Sequence, residues 1–320
     1  MENSSNEICE IFQSNLSIIN SEQNLTPSLL TEQDKYLIAY IKTVSQYIEK
    51  SKFTTINGLY SLIEEMTESF LKLMLEKKII TKTEIAISLQ AAGQVISHLL
   101  HKFISKKISE DLNIIQKYLI NIINDLLTLN KLSNDKIHNF FDHTISNGTK
   151  ILVHGYSSHI VYSLIESRKK GKKFFVYITS SQPDDYSKKL ENELKEKDIG
   201  CKIIPGISVG YYLKYVNFVL TNADAVCQNG GIINTIGTFT IAICAKNFMK
   251  PFYVMIDSMK FLKMYVLDQS DLKHTIGFDL NQNENTCDFT APEFISLFFT
   301  DIGIFTPSAI CDELIHLFNY

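Results

Sequence analysis

Helix breakers are distributed unevenly along this 320-residue chain: residues 1–147 hold only two of its 13 glycines (Gly58 and Gly93) and one of its six prolines (Pro27). Glycine and proline end helices and make turns, so a stretch this poor in them favours long helices. Apolar residues recur there at helical spacing. Ile8, Ile11, Phe12, Leu16 and Ile19 outline a short amphipathic helix. Leu59, Leu62, Ile63, Met66, Phe70, Leu73 and Met74 make a longer apolar face, Ile85, Leu89, Ala92, Val95, Ile96, Leu99 and Phe103 a second, and Leu112, Ile115, Leu119, Ile122, Ile123, Leu126 and Leu129 a third. The spacing predicts an N-terminal helical bundle domain over residues 1–147.

After Asn147-Gly148 the pattern changes. Short β-rich runs (Ile151–His154, Phe174–Thr179, Cys201–Ile204, Phe218–Thr221, Phe252–Ile256) alternate with helical stretches at about 157–170, 184–198, 207–216 and 233–248. This rhythm predicts an α/β fold over residues 148–320: a Rossmann-like domain with a mostly parallel sheet covered by helices. Ligands of such sheets sit beyond the carboxyl ends of the strands. The informative positions are therefore Gly155-Tyr156-Ser157, Thr179-Ser180, Gly206, Asn222-Ala223-Asp224 and Asp257-Ser258.

Charge excludes one class of function. With 31 basic and 35 acidic side chains, evenly shared between the halves, the chain lacks the clustered positive charge that grips a phosphate backbone. Arg168 is its one arginine, which excludes a clamp built from several guanidinium forks. No apolar run approaches the ~20 residues of a membrane span, and the polar start, Met1-Glu2-Asn3-Ser4-Ser5-Asn6-Glu7, does not read as a secretory leader. Cys9, Cys201, Cys227, Cys244, Cys287 and Cys311 form no Cys-x-x-Cys pair and read as reduced thiols of a cytosolic protein.

Four local patterns carry possible chemistry. Gly206-Ile207-Ser208-Val209-Gly210 has the Gly-x-Ser-x-Gly form of a nucleophile elbow, with Asp224 or Asp257 and His274 following in hydrolase order. The bland alternative is that Ser208 caps the next helix. Asn229-Gly230-Gly231-Ile232-Ile233-Asn234, followed by Gly237-Thr238, offers positive-φ backbone and, at the expected helix start, N–H groups that could hold an anion; the alternative is a tight turn with close packing. His98 and His101 stand three apart on a helix without a third metal ligand, and read better as boundary histidines; His154 ends the first strand at the ligand edge. Lys169-Lys170-Gly171-Lys172-Lys173 reads as a solvated helix C-terminus. No complete catalytic constellation appears, and no cofactor is implied.

Three long runs resemble a known family: Ile151-Leu152-Val153-His154-Gly155-Tyr156-Ser157, Val176-Tyr177-Ile178-Thr179-Ser180-Ser181-Gln182-Pro183, and Asn229-Gly230-Gly231-Ile232-Ile233-Asn234-Thr235-Ile236-Gly237-Thr238. They are similar to the regulatory subunits of eukaryotic translation initiation factor 2B. Lys250-Pro251-Phe252-Tyr253-Val254 and Asp257-Ser258-Met259-Lys260-Phe261 continue the match, and the tail from Asp288-Phe289-Thr290-Ala291-Pro292 to Thr306-Pro307-Ser308-Ala309 resembles the alpha branch. The resemblance implies a non-catalytic regulatory subunit of a guanine nucleotide exchange complex. The implied partners are a second copy of itself, the beta, gamma, delta and epsilon subunits, and the phosphorylated alpha subunit of translation factor 2. Thr55, Asn57 and Gly58, matched within Thr55-Ile56-Asn57-Gly58-Leu59, would lie on the regulatory surface.

The same fold is shared with sugar-phosphate isomerases of the methylthioribose-1-phosphate and ribose-1,5-bisphosphate type. By that resemblance the catalytic cysteine falls at Gly155, Gly-Ala-Asp at Asn222-Ala223-Asp224, and Asn-Lys-Ile-Gly-Thr at Asn234-Thr235-Ile236-Gly237-Thr238. A glycine cannot move a proton, so isomerisation is not expected. His154, Gly155, Tyr156, Ser157, Asp224, Asn229, Gly230, Gly231, Asn234, Gly237 and Thr238 are then expected to form a vestigial pocket for a sugar phosphate or nucleotide. The rival is an active isomerase using Asp224 and His154. The greasy run Phe294, Leu297, Phe298, Phe299, Ile302, Ile304 and Phe305 would supply an interface, or pack within its own domain.

Overall fold

The breaker-poor stretch forms helices along its length in a computed structural model that describes residues 2–23, 30–51, 53–64, 66–67, 70–80, 82–107, 111–180, 186–275 and 286–318. The elements are α1 (Glu2–Gln23), α2 (Glu32–Lys50), α3 (Ile56–Glu64), α4 (Phe70–Glu76), α5 (Thr83–Lys106) and α6 (Leu112–Phe141). The chain divides into two compact units, Met1–Lys131 with Leu317–Tyr320, and Leu132–His316, so the division falls inside α6. The change of sequence pattern at Asn147-Gly148 falls instead just before the first strand.

In the helical unit each predicted face is largely buried. Leu59, Ile63, Met66, Phe70 and Met74 form one buried row that continues across the break between α3 and α4. Leu129, the last member of the third face, departs from it at 44% exposed. Phe70 anchors the core, with ring centroids 5.2 Å from Phe12 and 4.7 Å from Tyr40. α2 opens on a capping box: the Thr31 hydroxyl accepts from Asp34 N at 3.1 Å, and the Asp34 carboxylate accepts from Thr31 N at 2.8 Å.

The second unit is the α/β layer. Its elements are β1 (Lys150–His154), α7 (Ser158–Lys169), β2 (Phe175–Ser180), α8 (Tyr186–Lys195), β3 (Gly200–Pro205), α9 (Val209–Tyr212), β4 (Phe218–Asn222), β5 (Ala225–Val226), β6 (Ile232–Thr235), α10 (Thr238–Asn247), β7 (Phe252–Met255), α11 (Gln269–Thr275), β8 (Cys287–Thr290), β9 (Leu297–Phe299), β10 (Ile304–Phe305) and α12 (Pro307–Phe318). Seven strands make one sheet in the order β10-β9-β7-β4-β1-β2-β3. Every pairing in it is parallel except β10 with β9. β1 and β4 are central, and their apolar runs are buried on both faces, as a helix-covered parallel sheet requires.

The five predicted strands each lie within a residue or two of β1, β2, β3, β4 and β7. The expected helix over 233–248 is corrected. Ile232–Thr235 is strand β6, paired antiparallel with β5 and β8 in a second, three-stranded sheet, and the helix starts only at Thr238. Two buried β-branched residues, Ile232 and Ile233, gain a ladder on both sides there, which outweighs local helical spacing. The greasy C-terminal run divides. Phe298 and Phe299 are buried in β9, while Ile302 and Ile304 are exposed. Among the described residues no helix is long and apolar enough to cross a membrane.

Candidate functional site

Parallel order brings the ends of β1, β2 and β4 together, and a buried polar cluster forms there. His154, 2% exposed, ends β1 and places Nδ1 2.7 Å from the Thr179 hydroxyl of β2. Its Nε2 has no hydrogen-bond partner of good geometry. Burial pushes the imidazole down to about 4, with the carbonyls of Thr235 and Ile236 partly offsetting it, so the ring is neutral at physiological pH. The Thr221 hydroxyl of β4 donates to His154 O at 3.0 Å and accepts from Asn234 Nδ2 at 3.0 Å. Asn234 also donates to Thr238 Oγ1 at 3.0 Å, which ties β6 to the first turn of α10. Asp224, also buried, precedes β5, and its N–H donates to Ile233 O across from Asn234.

Gly155 follows His154 with φ of +82°, and a Cβ built there would overlap Asn222 Oδ1. Residue 155 is thus confined twice, by backbone conformation and by the amide of Asn222. Asn222 is buried, and its Oδ1 has no hydrogen-bond partner. With Asn234 Oδ1 it makes two buried amide oxygens left unsatisfied in one cluster.

The N-terminus of α10 is occupied. Asp288 of β8 accepts from Gly237 N at 2.7 Å and from Phe239 N at 3.2 Å. Burial raises its carboxyl to about 6, against the lowering effect of those two N–H groups. Sequence reasoning missed this role. The available signal was an acidic residue inside a strand-like run, Cys287-Asp288-Phe289-Thr290, where burial of Asp demands partners.

Not all expected pocket residues meet here. His154, Gly155, Asp224, Asn234, Gly237 and Thr238 share the cluster. Ser157 caps α7, accepting from His159 N at 3.2 Å. Tyr156 donates to Glu193 at 2.8 Å and lies under Lys189, 4.4 Å from the ring centroid. Asn229, Gly230 and Gly231 sit at the opposite, turn end of the β5–β6 hairpin. Asn229 bonds Val266 O and Gly231 N, and side chains at Gly230 or Gly231 would strike Pro307 or Phe289. The expectation of N–H groups at a helix start directly after this turn is corrected: the turn leads into β6, and the close-packing alternative describes it.

A second buried network lies at the end of β7. His159 places Nδ1 2.7 Å from Asn134 Oδ1 and Nε2 3.2 Å from Asp257 Oδ2. Burial opposes ionisation of Asp257, but the His159 hydrogen bond and the charge of Lys260 hold it below the usual range. Beside it Asp301 accepts from Ser258 N at 2.7 Å and from Ser258 Oγ at 3.1 Å. Its carboxyl is raised by burial and by the charge of Asp257.

The remaining motifs resolve plainly. Ser208 is half-buried and donates to Pro205 O at 2.7 Å; its side chain caps no helix, correcting that expectation, because its turn is 3-10 and closes on itself. The His274 side chain lies outside the described residues. The basic turn is more than a solvated helix end. Lys172 and Lys170 reach Asp142 at 2.7 and 3.0 Å; burial resists, but the two lysines take that carboxyl down to about 2. His101 stacks near Tyr60, with centroids 4.7 Å apart, and burial lowers its pKa. Among the described residues no group of three or more His, Cys, Asp or Glu could hold a metal. In the helical unit the Thr55 hydroxyl accepts from Gly58 N at 3.1 Å and caps α3, and Thr55, Asn57 and Gly58 are all exposed.

Comparisons with known proteins agree with this architecture. The chain is 31% identical over 303 residues to translation initiation factor eIF2B subunit alpha of Dictyostelium discoideum, covering 88% of this chain and 91% of that one. It is 26% identical over 183 residues to ribose 1,5-bisphosphate isomerase of Archaeoglobus fulgidus, covering 54% of this chain and 58% of the enzyme. Its fold matches a chain of the tetrameric eIF2B-beta2-delta2 complex from C. thermophilum with a TM-score of 0.73 and 18% identity, covering 97% of this chain and 94% of that one. Residues 32–307 match the Initiation factor 2 subunit family, and the chain belongs to that family.

Proposed function

We propose that this chain is a non-catalytic regulatory subunit of the eIF2B exchange complex, of the alpha type. The observation that carries the reading is the match to an alpha subunit along 88% of the chain. The local chemistry supports it. The position that would need an acid–base side chain is Gly155, where backbone and Asn222 leave no room for one. In this reading the chain works in the cytosol, pairs with a second copy of itself and joins beta, gamma, delta and epsilon subunits. It helps to sense the phosphorylated alpha subunit of translation factor 2 and contacts neither nucleic acid nor membrane. The exposed Thr55, Asn57 and Gly58 contribute to the sensing surface. Arg168 is remote in sequence from that turn, so the sensor reads the shape of the phosphorylated partner instead of clamping its phosphate with guanidinium groups.

The strand-end cluster is then a vestigial ligand pocket. A second reading, isomerase activity through Asp224 and His154, is favoured by the similarity to the Archaeoglobus enzyme and by the burial of both residues. Two assays decide between them. The regulatory reading expects phosphorylation-dependent binding of translation factor 2 that weakens in an Asn57→Ala variant and survives Arg168→Glu, with no turnover of pentose or methylthioribose phosphates. Turnover abolished by Asp224→Asn would establish the isomerase instead.

A further inference from the structure

The basic turn between α7 and β2 does not neutralise all of its own cations. Lys169 pairs with Glu166 at 2.6 Å, and Lys172 and Lys170 converge on Asp142 at 2.7 and 3.0 Å. Arg168 and Lys173 form no ion pair among the described residues, and both line one cleft of about 180 Å³ together with Phe174, Asp198 and Ile199. The cleft lies at the amino ends of β2 and β3, the edge of the sheet opposite the strand-end cluster. Its walls are held by the backbone. Asn147 Oδ1 accepts from Lys173 N at 2.8 Å, and Gly148 N donates to Lys173 O at 2.7 Å. Asp198 turns the chain out of α8 at a φ of +55°, with its N–H on Lys195 O at 3.1 Å, and Ile199 N donates to Leu194 O at 3.0 Å. Arg168 stands half-buried in the last turn of α7, Phe174 is half-buried and Ile199 is buried.

A guanidinium partly withdrawn from water and without a counter-ion favours an anion, and its planar fork matches a carboxylate. Charge selects the valence. Two cations, Arg168 and Lys173, against one carboxylate, Asp198, leave the cleft a single positive charge, which a monoanion cancels and a phosphate dianion overshoots. Size selects a compact ligand, because the cleft is smaller than the ~300–1,000 Å³ of pockets for drug-sized molecules. Phe174 and Ile199 supply apolar wall. We propose that this cleft binds a small monocarboxylate with a short apolar body, its carboxylate on Arg168 and Lys173 and its body against Phe174 and Ile199. The site is separate from the strand-end pocket and gives the one arginine of the chain a ligand.

The test titrates sodium isovalerate into the full chain at constant ionic strength, followed by calorimetry and by amide NMR. The native chain should bind it saturably with a Kd of about 1 mM or below, and the Gly171, Phe174 and Ile199 amide signals should move. Arg168→Gln should weaken binding about tenfold or more, and Arg168→Lys, which keeps the charge and loses the fork, should fall between the two. 3-Methylbutanol, which has the same body without the charge, and inorganic phosphate should each bind about tenfold more weakly than isovalerate. Equal binding of the alcohol overturns the role of charge, and equal or tighter binding of phosphate overturns the choice of a monocarboxylate. Unchanged affinity in folded Arg168→Gln overturns the role of the guanidinium. Should the variants fail to fold, the native chain still decides: shifts that do not saturate, or that fall on His154 and Asn234 instead, overturn the site.

Discussion

The α/β unit contains two buried polar clusters that differ in how well their hydrogen bonds are satisfied. At the end of β7, both ring nitrogens of His159 find partners in Asn134 and Asp257, and Asp301 accepts twice from Ser258. In the cluster around His154, the amide oxygens of Asn222 and Asn234 each stay without a donor. Leaving a buried polar atom unpaired costs about 1–3 kcal/mol. That contrast fits the proposed reading of the first cluster as scaffold and of the second as a vestigial pocket.

The largest effect should come from Gly155→Cys. Positive φ and overlap with Asn222 together should cost about 3–4 kcal/mol in chemical denaturation. Asn222→Gly in the same chain should return about 1–2 kcal/mol of that; simple additivity would show that Asn222 does not confine residue 155. His159→Ala should cost about 3 kcal/mol, since it leaves the buried Asp257 carboxylate without its imidazole donor. Asn222→Ala should cost less than about 1 kcal/mol, because it removes an acceptor that was already unpaired. Equal losses at His159 and Asn222 would break the distinction between scaffold and remnant.

Acid titration sharpens the same contrast through two groups of opposite sign. His154 is depressed to about 4, so its contribution is present above the unfolded value of 6.5 and is lost as pH falls through about 4. It should amount to about 3 kcal/mol. Asp288 is raised to about 6, so its contribution is present below 3.8 and is lost as pH rises through about 6, again about 3 kcal/mol. Thermal melts should show the acid-side loss flattened in His154→Gln, and the gain between pH 7 and 5 absent in Asp288→Asn. A further small effect lies outside both clusters: Thr55→Ala should remove the cap of α3 at a cost of about 1 kcal/mol.

The sequence announced the sheet through its own physics. Runs such as Ile151-Leu152-Val153 are apolar because both faces are covered, and glycines close the turns, so five strands were legible. The short strands β5, β6, β8, β9 and β10 were not. They are two to four residues long, and partners such as Ile233 and Phe289 stand far apart in the chain. The site was half legible. His154, Gly155, Asp224, Asn234 and Thr238 sit at strand ends or a helix start, where topology alone gathers them. Asp288 and Asn222 act through contacts across strands, which no local spacing records. Asn229-Gly230-Gly231 misled because a tight turn and an anion nest use the same residue types.

The central claim, a regulatory subunit that works by assembly, is tested most directly by native mass spectrometry of the purified chain, alone and mixed with beta, gamma, delta and epsilon subunits. The account predicts a dimer alone and incorporation of that dimer into a larger complex with the others. A chain that stays monomeric and joins none of them would contradict it.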